Sequence, residues 1–419
     1  LKDTCRATRL ENGLRIVTEP VADVASATVG IWVENGSCFE TEKLSGISHF
    51  IEHLLFKGTD DRSAFQIVEE IERYGGSVNA FTSKEHTCYH ARALGAHCET
   101  VLDVLGDIIL NSTFRTEDIE VEREVITQEI LDVEDSPEEF VHDYFLQSYW
   151  PGHPLGWNVT GTVDTVSNIT RDDIIDYVAS RYRPDRIVVA AAGALDHDSF
   201  VDACRERFLS MSGTYEPPPP DMPDFNPGLF VSQRDLEQVH IVLGLPGVSI
   251  VDERRDVAEV LFSALGGGMS SRLFQRVREE KGLVYSIYSF QSPFQHIGYS
   301  GVYAATVRDH VEEVMDLVTA DIASIAANGL TLEELDRTKA QLIGSIPLSL
   351  ESTESRMFRI ARNQMEFGRH VTLDEITKAI SSVTNDDIQE LAEELFAFER
   401  LGVALLGDAD EDLLTLPAS

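Results

Sequence analysis

The chain carries two copies of one pattern. Thr170-Arg171-Asp172-Asp173-Ile174 recurs as Thr384-Asn385-Asp386-Asp387-Ile388, and the apolar run from Arg186 to Gly193 recurs as Arg400 to Gly407, both at one constant offset. An ungapped match over a helix start and the strand after it repeats a unit of structure, so the chain has to fold as two related domains. Upstream segments agree: His97 to Asp103 pairs with His310 to Asp316, and Thr116 to Glu129 falls opposite Thr331 to Ser345 with small gaps. A length of 419 residues with 43% hydrophobic side chains supports two sizeable cores. Pro217 to Pro220, with Pro223 and Pro227 close by, can continue neither a helix nor a central strand. We therefore expect a first domain at 1–212, a linker at 213–228 and a second domain at 229–419.

The copies differ in one helix-sized stretch. In the first copy His49-Phe50-Ile51-Glu52-His53 sets two imidazoles and a carboxylate into an otherwise apolar segment, with a Ser start signal before it and Gly58 after it. Residues four apart share a helix face, so His49 and His53 point the same way with Glu52 beside them. Burying three ionisable groups without partners costs several kcal/mol, so something must compensate them. Zinc would do so: it takes neutral imidazoles plus one carboxylate and leaves a fourth position for water, with Glu52 as the base. The alternative is a pair of core histidines bonded to backbone, with Glu52 neutralised by a nearby cation.

A third ligand has to come from elsewhere. Residues 116–133 begin with a Thr cap and acidic first-turn residues, and their apolar face is Ile119, Ile126, Ile130 and Val133. Glu122 and Glu129, two turns apart, fall within that stripe, so both carboxylates should face inward. The second copy has lost the set. The region from Val257 to Leu265 holds no histidine, and Gly344-Ser345 stand opposite Glu129.

The His-x-x-Glu-His order, followed by the last residue of Glu122-Arg123-Glu124-Val125-Ile126-Thr127-Gln128-Glu129, resembles the pitrilysin/insulinase family of zinc peptidases. Within it, the fit is to the branch containing mitochondrial processing peptidase and its bacterial relatives. The resemblance implies that His49, His53 and Glu129 bind one Zn2+ per chain, that Glu52 activates water, and that Glu122 supports the ligands from behind. It implies an α+β fold of two homologous α/β sandwich domains in a clamshell arrangement, each a mostly antiparallel sheet with helices packed on one side. The Gly75-Gly76 turn and Asn79-Ala80 match the family's edge strand, to which a peptide adds by backbone pairing, so Asn79, Ala80 and Phe81 become candidate substrate contacts. Arg278 and Tyr285, flanking the end of an expected helix at 271–282, match the pair with which the family's second domain reaches toward the zinc site to hold a substrate carbonyl. The family's chamber takes four such domains. A chain with two is thus expected to pair with another copy or with a related subunit, around unfolded peptide substrates.

Other readings are weaker. His86, Cys88 and His90 share a strand face by period two and form a rival metal set, but no fourth ligand is near in sequence. Gly266-Gly267-Gly268 lacks the Lys and Ser/Thr of a phosphate loop. A net charge of −38 argues against nonspecific nucleic-acid binding and suits basic peptides. No apolar run approaches the roughly 20 residues of a bilayer span, and residues 1–6 lack a signal-peptide core. Five scattered cysteines fit no disulfide framework, so a soluble, cytoplasmic location is the expectation, with a removed targeting segment compatible with the Leu1 start. Besides an endopeptidase, a non-catalytic substrate-holding subunit and a structural zinc protein are the alternative functions. The complete metal set argues against the first, and against the second stands that a structural site would fill all four positions, preferably with cysteine.

Overall fold

The computed structural model describes residues 4–217 and 221–416, so Pro218, Pro219 and Pro220 of the expected linker lie outside the described residues. The first part of the chain forms strands β1 (Arg6–Arg9), β2 (Arg15–Pro20), β3 (Ser26–Val33), β4 (Ser77–Thr82), β5 (Thr87–Leu94) and β6 (Ile187–Gly193). Its helices are α1 (Ile47–Leu55), α2 (Ala64–Glu72), α3 (Cys98–Asn111), α4 (Thr116–Glu134), α5 (Pro137–Tyr149), α6 (Val163–Asn168), α7 (Arg171–Arg181) and α8 (His197–Phe208). The second part forms β7 (Gly228–Gln233), β8 (Val239–Gly247), β9 (Ser286–Pro293), β10 (Gly298–Thr306) and β11 (Gly402–Gly407). Its helices are α9 (Arg255–Gly266), α10 (Val311–Asn328), α11 (Leu332–Ser349), α12 (Thr353–Glu366), α13 (Leu373–Ser382) and α14 (Asn385–Leu395). The repeated Thr-x-Asp-Asp start does the same work twice. Thr170 and Thr384 cap α7 and α14, and Asp173 and Asp387 return the bond to the cap backbone.

The sheets repeat each other strand for strand. One runs β2-β6-β3-β5-β4 with β1 added outside β2, and the other runs β7-β11-β8-β10-β9. Each has a single parallel pairing, β2 with β6 and β7 with β11, among antiparallel ones. The fold is α+β with mostly antiparallel sheets, and β4 and β9 are equivalent edges.

Helices from the same half of the sequence cover one face of each sheet. On the first sheet Val29, Ile31, Val189 and Ala191 pack with Phe50 and Ile51 of α1, Val104 of α3, Ile174 of α7 and Phe200 of α8. Their strand neighbours Val17, Trp32, Val188 and Ala190 face the other way and meet Met357, Ile360 and Ala361 of α12, a helix from the other half. A buried carboxylate fastens it: Glu19 accepts from Arg356 at 2.5 Å and from Arg359 at 3.0 Å. The second sheet receives α5 in return. Phe145 and Tyr149 cover Gly244 of β8 and Gly402 of β11, where a Cβ would fall 2.0 Å and 2.8 Å from the rings.

The compact units are therefore interleaved in sequence. One comprises Leu1–Asp132, Trp157–Pro219 and Leu348–Thr372, and the other Val133–Gly156, Pro220–Pro347 and Leu373–Ser419. Among the described residues no helix is long and apolar enough to cross a membrane.

The glycine under Phe145 gives a direct test of the α5 packing. Gly244→Ala should displace a fully buried ring and lower stability by about 1–3 kcal/mol, read as a lower urea midpoint. An unchanged midpoint would show that the ring yields without resistance.

Candidate metal centre

α1 starts where the chain is forced to turn. Gly46 has φ 94°, and a side chain there would meet the Thr160 carbonyl oxygen at 2.6 Å. The first turn is capped by Glu40, whose oxygens accept from the N–H groups of Gly46 at 2.7 Å and Ser48 at 2.8 Å. The expected Ser start signal is thus replaced by a more distant carboxylate, and the Ser48 hydroxyl is engaged instead with Tyr177 at 3.1 Å. Burial pushes Glu40 up to about 7 against the pull of those hydrogen bonds. α1 ends at Leu55, and Gly58, with φ 137°, follows in the turn beyond it. Phe50, Ile51, Leu54 and Leu55 are buried, which leaves the polar side of the helix to His49, Glu52 and His53.

On that side three groups converge. The Nε2 atoms of His49 and His53 lie 3.7 Å and 3.5 Å from one oxygen of Glu129, which α4 carries to the site. Ligand atoms held about 2.0–2.1 Å from a tetrahedral zinc are separated by about 3.4 Å, so these residues fit the ion. Among the described residues this is the one group of three His, Cys, Asp or Glu side chains close enough to share a metal, its donor atoms all within 4.8 Å of one another. Burial, with His53 adding to it, pulls His49 down to about 4 and keeps it neutral.

Glu122, one of the two inward carboxylates of α4, is buried. One of its oxygens faces His53 Nδ1 at 3.0 Å and the other faces Lys57 Nζ at 2.7 Å. A carboxylate only accepts, so Nδ1 carries a proton and Nε2 is the nitrogen available to a metal. Burial alone would raise Glu122. The hydrogen bonds from His53 and Lys57 outweigh it and hold the carboxylate below its usual range. For His53 burial is likewise outweighed, by the bond to Glu122 and the charges of Glu129 and Glu52, and its proton affinity rises.

Glu52 stands apart from the three converging groups. Thr82, the last residue of β4, donates to its Oε2 at 2.7 Å, and burial raises its proton affinity despite that bond. Asn79, Ala80 and Phe81 precede Thr82 on the same strand, which is the open edge of the sheet. Phe81 turns to the opposite face, against Trp32 and Phe358. His86 and His90 ring the same aromatic cluster, with Cys88 buried between them in sequence, and they gather no metal-binding group.

Arg278 and Tyr285 belong to the other compact unit. The helix expected at 271–282 is wound as a π-helix over Phe274–Glu280, and Gly282, with φ 64°, ends it. The Arg278 guanidinium lies over the rings of Phe274 and Tyr285, at 4.7 Å and 4.9 Å from their centres, and Tyr285 is 77% exposed. Sequence reasoning missed Glu40, Lys57 and Thr82. The last two had a signal: Lys57 continues the His49, His53 stripe by four residues, and Thr82 continues the period-two face of Val78 and Ala80.

Two imidazoles and a carboxylate facing one point, with a second carboxylate beside them on a duplicated α+β scaffold, form a candidate site for one metal ion. Residues 15–163 match the family described as Insulinase (Peptidase family M16), and residues 168–342 match its companion, the Peptidase M16 inactive domain. The chain belongs to this family. An uncharacterized zinc protease of Bacillus subtilis is 39% identical over 396 residues, 94% of this chain and 96% of the relative. One of Streptomyces coelicolor is 42% identical over 413 residues, covering 96% and 90%. The crystal structure of a protease from Helicobacter pylori, 21% identical, shares the fold with a TM-score of 0.90 over 97% of this chain and 99% of that one.

The desolvated ring of His86 predicts a pH response that needs no metal. Burial, and the nearby Arg362 charge, pull His86 down to about 4. Below about pH 6.5 the unfolded chain binds a proton that folded His86 refuses, so stability is lost as pH falls from 6.5 toward 4. Glu40, pushed up, acts in the opposite sense, so the comparison must be with a variant. In zinc-free protein, His86→Phe should gain on the parent in urea midpoint between pH 7 and pH 5. A constant difference would show that His86 titrates normally.

Proposed function

We propose that this chain is a zinc-dependent endopeptidase of processing-peptidase type that cleaves unfolded, basic peptides. The observation that carries the reading is the single Glu129 oxygen faced by the Nε2 atoms of both histidines, with Glu52 beside them and outside that set. His49, His53 and Glu129 would hold the ion, and Glu122 would orient His53. Zinc, when bound, supplies Lewis-acid polarisation of water and of the scissile carbonyl. Glu52 takes the proton of the attacking water and returns it to the leaving amine. With Oε2 held by Thr82, Oε1 is the oxygen left for that transfer, and burial raises the group's proton affinity toward the working range of an acid and base.

The open edge of β4 suits a peptide backbone, with Asn79, Ala80 and Phe81 as the pairing residues. The net charge of −38 favours cationic peptides. Arg278 and Tyr285 are the proposed donors to the substrate carbonyl and to the oxyanion that forms on it. Assembly with a second copy or a related subunit would complete the enclosure that the family resemblance implies.

Digestion of a basic, unfolded peptide, with products identified by mass, tests the reading. Glu52→Gln should keep zinc and lose cleavage by orders of magnitude, whereas Glu129→Gln should lose zinc as well. Near-normal turnover by the Glu52 variant would sink the assignment. Zinc binding by the parent without cleavage of any such peptide would favour a substrate-holding subunit.

The second half has its own test. Tyr285→Phe and Arg278→Ala should leave zinc content intact and lower kcat/KM by roughly 10- to 1000-fold, the range for losing a transition-state donor. Mixing Glu52→Gln chains with Tyr285→Phe chains then asks whether one chain's pair serves another's metal residues. Recovered activity would mean that it does. Unchanged kcat/KM in both single variants would remove the pair from the mechanism.

A further inference from the structure

We propose that Lys57 is a positioning residue of the metal centre, acting through Glu122 to fix the ring of His53. The inference rests on the zinc reading above and adds a residue to it. Its basis is a chain of three contacts. Lys57 Nζ lies 2.7 Å from Glu122 Oε1, Glu122 Oε2 lies 3.0 Å from His53 Nδ1, and His53 Nε2 lies 3.5 Å from Glu129 Oε2.

Helix geometry puts Lys57 there. His49, His53 and Lys57 are spaced by four, one turn apart along a single stripe. α1 closes at Leu55, but the N–H groups of Phe56 and Lys57 still bond the carbonyls of His53 and Leu54, so the last turn stays wound and the stripe continues. The ammonium therefore arrives on the histidine side of the helix, and its stem spans from a 36% exposed position to a carboxylate that is 3% exposed.

Glu122 has two oxygens in a buried place and one donor for each. Removing the ammonium leaves one oxygen buried without a partner. The carboxylate can then recover solvation only by rotating or by admitting water, and either movement loosens its hold on His53 Nδ1. A ligating imidazole whose far nitrogen is not fixed swings about its χ angles, and the lone pair of Nε2 no longer points at the place shared with His49 and Glu129. Lys57 thus bears on metal affinity without contacting the ion. Among the described residues its side chain pairs with Glu122 alone, and its backbone carbonyl, which accepts from Arg115 at 3.2 Å, is untouched by substitution.

The competing explanation is that the pair only ties α1 to α4. Zinc affinity separates the two, because a packing contact changes folding stability and leaves the ligand geometry of the folded protein alone. The experiment measures the zinc dissociation constant of the full chain by competition with a chromophoric chelator, and the urea midpoint of the zinc-free protein in parallel. Lys57→Met, which keeps the stem and removes the charge, should bind zinc about 10- to 100-fold more weakly. Lys57→Arg should recover most of the affinity. In a Glu122→Gln background, Lys57→Met should cost little more, because the residue through which Lys57 acts is already altered.

Affinity of Lys57→Met within about threefold of the parent overturns the inference, as does full additivity of the two substitutions. A parent that binds zinc alongside such a variant leaves the zinc reading standing. A parent that binds none overturns both. Should Lys57→Met fail to fold, Lys57→Gln carries the same comparison.

Discussion

The first sheet needs cover on both faces, because Ile187–Gly193 has no polar side chain to offer water on either. From Ile187 to Ala192 its residues are fully buried, with odd positions turned toward α1, α3, α7 and α8 and even positions toward α12. β11 poses the same demand, and α5 meets it in the other unit. A single copy of the repeat has helices enough for one face only. The exchange of α5 and α12 supplies the second layer, so neither stretch of sequence can close its core without residues from the other. The units are interleaved for that reason, and the linker prolines alone do not describe their boundaries.

How α12 is fastened says something about specificity. Apolar contact with Trp32, Val188 and Ala190 would let a helix slide, since small and large side chains pack in more than one register. Glu19 removes that freedom. It is buried on β2 and accepts from two arginines one turn apart on α12, so a shifted helix would strand a carboxylate in the core. Such a pair contributes little net stability after desolvation, but its loss is heavily penalised, and that asymmetry selects a register.

Much of this was legible in the sequence. The duplicated caps and strands gave two α+β domains. The spacing of His49, Glu52 and His53, with the stripe holding Glu122 and Glu129, named the residues that the structure gathers or sets close by. The rest depends on contacts that no helix or strand period announces. Glu40 caps α1 from a separate turn, and no local motif links it to Gly46. The cover of the second faces was half legible. A strand as uniformly apolar as β6 calls for two layers, but nothing in its pattern identifies which helix supplies the second. Lys57 was the most readable omission, since it lies on a stripe already drawn through both histidines.

The two copies put the same segment of fold to different uses. In the first, α2 leads through Gly75, at φ 70°, into the edge strand β4; in the second, the π-helix Phe274–Glu280 leads through Gly282, at φ 64°, into the equivalent edge strand β9. A left-handed glycine is required at each, because the chain must reverse from helix into strand within a few residues. Around this common device the side chains have diverged. The first copy keeps two half-buried histidines and a half-buried glutamate on its opening helix, whereas the matching helix α9 has no histidine and buries Val260, Leu261, Phe262 and Leu265. In the second copy the helix end and the turn place Arg278 over the rings of Phe274 and Tyr285, with Tyr285 exposed. An arginine over two aromatic faces gains cation–π attraction at both, which favours that placement of the guanidinium.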